Sequence, residues 1–243
     1  MAEQLTADSR YRLLDGAVPT SPDAIPSEFV IHEEGRLRVV WAPCDHVNSA
    51  ARIAIVGITP GWQQLEIAYA SAQRSLAAGL SYADACERAK AEASFAGAMR
   101  KNLVRMLDEI GVARALELET TGNLFGAPCE DLHTTSALRY PVFLDGKNYN
   151  GHTPHALKNG YLRSMVETVL GPELEEIAPA LVVPLGKAAS ECVRHAIHCT
   201  GAQVSLLDGF PHPSGANGHR ARNFEEQKHA LTRTVENWGL TAR

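Results

Sequence analysis

Paired cysteines are missing from this sequence. The five present, Cys44, Cys86, Cys129, Cys192 and Cys199, are odd in number, scattered, and never spaced C-x-x-C. Neither a disulfide framework nor a thiolate zinc or iron–sulfur site is signalled, so they read as reduced thiols and no metal or cofactor is expected. Long apolar runs are also missing: none approaches the roughly 20 residues that span a bilayer. The opening MAEQLTADSR carries neither the basic nor the apolar region of a signal peptide, so a cytoplasmic chain without membrane contact is expected. The third absence is an excess of positive charge. A formal charge of −5 argues against a general nucleic-acid coat, because phosphate binding relies on cations. One basic cleft on an otherwise acidic surface stays open. No repeat or low-complexity segment appears either, and 243 residues at 45% hydrophobic content suffice for one large core.

The residues that are present sort into alternating strand and helix text. VPTSPDAIPSEF, with three prolines, predicts an extended arm over residues 1–30, leaving 31–243 as a single domain. RLRVVWAP reads as a short edge strand. RIAIVGITPG, from Arg52, is an apolar run ended by Gly-x-x-Pro-Gly, a buried strand running into a tight loop. Residues 63–90 are helical text, with Gly79 and Ser81 marking a break and a new cap. In FAGAMRKNLVRMLDEIGV the apolar residues Phe95, Met99, Leu103, Met106, Leu107 and Ile110 fall at three- and four-residue spacing before Gly111, which predicts an amphipathic helix with a glycine stop. DLHTTSALRYP reads as a second strand and VFLDGKNYNGHTP as loop. Pro154 or His155 opens a helix through Leu170. PALVVPLGKAASECVRHAIH is strand, glycine turn and helix, AQVSLLDGF is a fourth strand, and a last helix covers roughly 223–238. Strands separated by helices predict a three-layer α/β/α fold around a central four-stranded parallel sheet, with strands near 52–57, 132–137, 181–185 and 203–207.

In such sheets ligands bind beyond the carboxyl ends of the strands. Those ends are Gly57–Gly61, Ser136–Tyr140, Gly186–Lys187 and His212–Asn217, and they hold the most polar loops in the chain. The stretch GFPHPSGANGHR is the most telling, because a turn built of Gly and Pro needs no two His, Ser, Asn and Arg.

The order GITPG, SFAGAMRKNLVRMLDEIG, HTTSALRYP, VVPLGKAAS, HPSGAN resembles the uracil-DNA glycosylase superfamily over about residues 52–238, with a helical insertion between Trp62 and Glu92. The resemblance implies a DNA repair hydrolase that removes uracil from DNA by base excision, without a metal, as a monomer. It implies that Gly57, Ile58, Thr59, Pro60 and Gly61 form the first loop, whose glycines let backbone approach sugar and phosphate. Phe95 would stack on the flipped base, although a core anchor at the start of its helix is the plain alternative. Ser136 holds the position of a base-reading Asn. His212 holds that of the His bonding uracil O2, the plain alternative being a turn His bonded to backbone. Ser214 and the residues through Asn217 would grip the phosphate and push into the stack.

Two departures from the family pattern matter. Where many relatives have Asp, Asn or Glu in the first loop, this chain has Thr59, whose hydroxyl can orient a water but cannot accept its proton at neutral pH. Ser136 gives a hydroxyl where an amide would present both a donor and an acceptor, which weakens strict uracil selectivity. Asp131, Asp208 and Glu92 could stand in as carboxylates, yet each reads more simply as a cap or surface charge. His133, His152 and His155 receive no role. Lys187, Arg139, His219, Arg220 and Arg222 supply a local phosphate groove, with Lys187, Arg220 and Arg222 the main DNA contacts. Residues 216–218 offer no large apolar wedge, which favours single-stranded or distorted DNA. Two other functions stay open: a catalytically weak binder of uracil or abasic DNA with the same fold, and an α/β enzyme acting on free nucleosides.

Overall fold

In a computed structural model, the structure describes residues 10, 11, 14, 18–178, 180–215 and 217–241. Part of the arm expected at 1–30, and Ala216 of the last loop, lie outside the described residues. The central sheet has strand order β4-β3-β7-β8 and is parallel throughout. Its strands are β3 (Ile53–Gly57), β4 (Leu132–Ser136), β7 (Leu181–Pro184) and β8 (Ser205–Leu206). The four lie where the apolar runs predict, with β8 shortened to two residues.

Alternation along β3 explains the three layers. Ile53 and Ile55 face one core with Leu103, Met106, Leu107, Phe224 and Trp238, whereas Ala54 and Val56 face a second with Leu162, Val166, Leu174 and Val193. Every side chain of β3 is therefore buried, as a central parallel strand covered on both faces requires. The first face is covered by α3 (Ala98–Glu109), the short α4 (Val112–Ala115) and α8 (Arg220–Thr241). The second is covered by α5 (Gly160–Met165), a π-helical turn at Val166–Leu170, α6 (Gly171–Glu176) and α7 (Lys187–Thr200).

Three expectations are corrected. Residues 142–154 are not all loop, because β5 (Val142–Leu144) and β6 (Lys147–Asn148) form a hairpin there. RLRVVWAP does not hold an edge strand: β2 (Leu37–Val40) is interior to an antiparallel sheet of order β1-β2-β5-β6, with β1 at Val30–Glu34. The helix expected from Pro154 or His155 starts at Gly160, because the Asn159 side chain accepts from the Leu162 N–H and caps it there, and the helical path runs on to Glu176.

The antiparallel sheet and the helical pair α1 (Trp62–Ala77) and α2 (Tyr82–Ala93) enclose a third core. There Trp41, Phe29, Tyr69, Leu65 and Ala89 pack with Tyr11 and Leu14. Ser81 accepts from the Asp84 N–H and starts α2, so the break between the two helices falls where the sequence marks it. This pair is what lies between the first loop and Phe95.

Candidate active site

The loops at the carboxyl ends of β3, β4 and β7 are joined by backbone hydrogen bonds that continue the sheet past its strands. Ala137 donates to Gly57 O at 2.8 Å, Leu138 to Ile58 O at 2.9 Å, and Leu185 to Val56 O at 2.8 Å. Gly57 is in register with Ser136. A Cβ on Gly57 would stand 3.3 Å from the Ser136 hydroxyl and 3.4 Å from the Phe95 ring, so absence of a side chain at 57 is what lets ring and hydroxyl share one space. Phe95 is buried and has φ 53, a left-handed backbone rare for an aromatic residue. It stands on a turn before α3, not within it as the periodicity suggests. Such a conformation costs about 1–3 kcal/mol and persists where surrounding structure fixes it. Arg100 contributes to that fixing by donating to the Ser94 and Glu92 carbonyls.

A cavity opens beside Phe95 and Ser136, with about 450 Å³ between its walls, open solvent at the mouth included. Pro60 and Gln64 border it from the first loop and α1, and Thr134 and Thr135 from β4. Lys90, Ser94, Arg139 and Cys44 complete its polar lining. Burial pushes the Cys44 thiol up to about 12, so it is no thiolate at neutral pH.

The first loop is braced from within. The Thr59 hydroxyl donates to Tyr140 O and accepts from the Val142 N–H, each at 3.0 Å, which commits its proton to backbone and leaves one lone pair. Ile58 turns away from the cavity and packs against Gly151, where a Cβ would lie 2.9 Å from Ile58 and 2.6 Å from Ala188. Gly61 donates to Gln64 Oε1 at 3.0 Å, and Trp62 to Asn148 Oδ1 at 2.9 Å, so the first turn of α1 is capped by two side chains.

The His212 loop does not line that cavity but meets the β7–α7 turn. Gly186 has φ +85, and a Cβ there would lie 3.0 Å from the His212 Cβ. Asn102 of α3 donates to Pro213 O at 3.0 Å and ties the loop to the helix that follows Phe95. His212 Nδ1 accepts from the Ser214 N–H at 3.2 Å, which puts the ring proton on Nε2. Burial holds the pKa of His212 below the ordinary histidine value, so the ring is a neutral donor near pH 7. Asn217 donates to His212 O at 3.2 Å, and Arg220 to Ser214 O at 2.6 Å. Lys187 is exposed at the start of α7, and Arg222 is exposed beside Glu226.

The carboxylates named as stand-ins are each paired elsewhere: Asp131 with Arg52 at 3.7 Å, Asp208 with Arg194 at 2.5 Å, and Glu92 with Arg74 at 2.6 Å. His155 pairs with Glu191 at 3.1 Å, and His152 is exposed. His133 is buried between the Asn48 N–H, which reaches its Nδ1 at 3.3 Å, and Glu173, 2.7 Å from its Nε2. Burial lowers His133 to about 4, and although burial alone would raise Glu173, the His133 hydrogen bond and the nearby Lys90 charge bring it to about 2. Among the described residues one trio of metal-capable side chains comes together, Glu167, His195 and Cys199. It sits toward the end of α7 remote from Lys187, two to three turns from these loops.

Lys90 and Glu173 go unmentioned in the reading of the sequence. Lys90 sits in helical text that looks solvated, and only the docking of α2 buries it. The one available signal was its i+4 neighbour Ser94, which bonds Thr134 at 2.6 Å and seats the helix end on β4.

A family model described as the uracil DNA glycosylase superfamily matches residues 44–235. The chain belongs to that superfamily. It is 37% identical over 222 residues, 90% of this chain and 87% of the other, to a Bacillus subtilis (strain 168) protein named "Uncharacterized protein YoxB". No solved structure matches it. Membership in the uracil DNA glycosylase superfamily supports a glycosylase-type enzyme acting on DNA. Among the described residues no helix is long and apolar enough to cross a membrane.

Proposed function

We propose that this chain is a cytoplasmic, monomeric DNA repair hydrolase that cleaves the N-glycosidic bond of uracil in DNA, with residues 31–243 acting as one catalytic domain and 1–30 as its arm. The observation that carries the reading is the meeting of Gly57, Ser136 and the Phe95 ring at the strand ends, where Phe95 and Ser136 line one cavity. A base inside a duplex is out of reach, so it must leave the stack for such a pocket.

Phe95 then stacks on the base while Ser136 and Thr135 face its edge. As the C1′–N1 bond breaks, the electron pair goes to the base and spreads onto its carbonyl oxygens, leaving a cationic sugar. His212 donates its Nε2 proton in a hydrogen bond to that developing oxyanion. Water adds to C1′, and the proton it releases neutralises the departing base, so the products are the abasic sugar and the neutral base. Thr59 is best used as a brace for the first loop that also accepts from this water, since its own proton is committed to Tyr140 O. Ile58, Pro60 and Gly61 shape the loop beside the sugar. Ser214 and the side chain of Asn217 grip the flanking phosphate, with Lys187, Arg220 and Arg222 on the same strand. Single-stranded DNA is the preferred substrate, because flipping costs least where stacking is already lost.

A second reading is favoured by Thr59 itself: with no carboxylate in the first loop, the protein would bind uracil or abasic DNA and turn it over weakly. One assay separates the two. Uracil-containing single- and double-stranded oligonucleotides are incubated with protein and cleaved by alkali at abasic sites. Strand breaks that need uracil support the hydrolase, whereas retained binding with no breaks supports the binder. Competition by free nucleoside but not by oligonucleotide would point to a nucleoside enzyme instead.

A further inference from the structure

Beneath the cavity lies a buried cluster whose charges do not balance. Lys90 and Arg139 both approach one carboxylate, Glu173, at 3.8 and 3.1 Å, with the Lys90 side chain 8% exposed and that of Glu173 0%. His133, neutral at pH 7, adds no charge. Among the described residues no second carboxylate lies within 4.0 Å of either cation. Asp45 acts on Arg139 only from beyond that distance and is held by the Tyr140 hydroxyl and the Trp41 indole N–H. Two basic side chains thus share one close negative charge; burial pushes the Lys90 pKa down and the Glu173 charge works against it, so the ammonium form is costly unless something compensates it.

Three further observations point to a ligand as the compensation. Both cations line the cavity beside Phe95 and Ser136. Two other polar atoms of its lining residues, Arg139 Nε and Thr135 Oγ1, are buried without a hydrogen-bond partner. Lys90 gives one N–H to the His46 carbonyl, and Glu173 at 3.8 Å is beyond hydrogen-bond reach, so its ammonium has donors to spare. Lining side chains here are rich in donors, and Ser136 brings no amide. Lys90 reaches this place because α2 lies between the first loop and Phe95.

We propose that Lys90, with Arg139 behind it, forms a cationic floor that contacts the carbonyl-oxygen edge of the flipped base and holds the anion formed as that base departs, making Lys90 a specificity-determining residue for oxopyrimidines. This inference rests on the glycosylase reading of the same site. The floor adds donors beside the single hydroxyl of Ser136. A base with an amino group on that edge would set donor against donor and be rejected.

Two readouts test it. Isothermal titration with free barbiturate, a planar pyrimidine anionic at neutral pH, is compared with neutral uracil, and single-turnover excision is measured alongside. The parent should bind barbiturate about tenfold or more tightly than uracil, since a hydrogen bond to a full charge is the stronger kind. Lys90→Met should abolish the preference and slow excision by about a hundredfold, and Lys90→Arg should keep the preference. If Lys90→Met does not fold, Lys90→Gln serves: a neutral side chain of similar length should lose the preference in the same way. A parent that shows no preference or does not bind barbiturate at millimolar concentration would overturn the floor, as would a folded Lys90→Met or Lys90→Gln protein that keeps the preference. A parent with the preference intact that excises nothing overturns the glycosylase reading and leaves the floor standing.

Discussion

The His212 loop and the floor under Phe95 are both polar, yet they handle their polar groups in opposite ways. In the loop, the His212, Pro213 and Ser214 carbonyls each have a side-chain donor, and Asn217 and Arg220 hold the turn from two sides. In the floor, Lys90 and Arg139 crowd one carboxylate, and Arg139 Nε, Thr135 Oγ1 and Glu173 Oε2 are buried without a hydrogen-bond partner. The loop therefore holds the His212 ring on a rigid frame, while the floor presents a field. Fixed donors serve the charge that develops in a transition state, and a field serves to choose which base enters.

The largest effect should come from the loop. Loss of one preorganised donor to a developing oxyanion costs about 10²–10³ in rate. His212→Ala should slow single-turnover uracil excision by a factor of that order, with oligonucleotide affinity within several-fold of the parent. Because burial keeps His212 neutral, the parent rate should stay flat as pH falls from 8 to about 6.5. A His212→Ala protein as fast as the parent would move the chemistry out of the loop.

The floor should instead show itself in stability. His133 is lowered to about 4, against about 6.5 unfolded. Between those values the unfolded chain binds more protons than the native one, so stability falls as pH falls from 6.5 to 4, by at most about 3 kcal/mol from this group. Glu173, lowered to about 2, adds a loss in the same direction below about 4.5. Urea midpoints from pH 7 to pH 4 measure this, and His133→Gln should flatten the slope. A parent midpoint that does not move over that range would mean the cluster is not built as described.

The same contrast governs what was legible in the sequence. The parallel sheet could be read because its strands are continuous apolar runs closed by glycine or proline turns, a pattern that local text carries. The β5–β6 hairpin could have been read from Asp145 and Gly146, both at positive φ in a two-residue turn, but strands of three and two residues give no periodicity to see. Strand-end positions such as Gly57 and Ser136 were legible because order along the chain maps onto one sheet edge. Lys90 and Glu173 were not. They lie 83 residues apart, on helices that look solvated one at a time, and only tertiary docking makes them partners.

A smaller effect tests the brace between the two regions. Thr59 links the first loop to Tyr140 and Val142 through one hydroxyl, so Thr59→Val leaves two backbone groups without their partner. The cost in stability should be about 1–3 kcal/mol, and excision should fall roughly tenfold or less if the hydroxyl only braces the loop and accepts from water. Thr59→Ser should restore both. A hundredfold loss of excision with unchanged stability would instead make this hydroxyl part of the chemistry.

The smallest effect belongs to the rim, where side chains are neither tied like the loop nor buried like the floor. Lys187 is 83% exposed and only 3.9 Å from Glu191, a pairing worth little in water. If it meets a phosphate, Lys187→Ala should weaken single-stranded oligonucleotide binding by only a few-fold near physiological salt, equally for uracil-containing and uracil-free strands. The slope of log K against log salt should flatten by roughly one unit. Arg220 gives the contrast, because its guanidinium also holds Pro213 and Ser214 in place. Arg220→Ala should flatten the slope by the same unit and also slow excision, since the His212 loop loses a tie. Equal behaviour of the two variants, with excision untouched in both, would mean that the loop is held without Arg220 and that the rim is one continuous electrostatic surface.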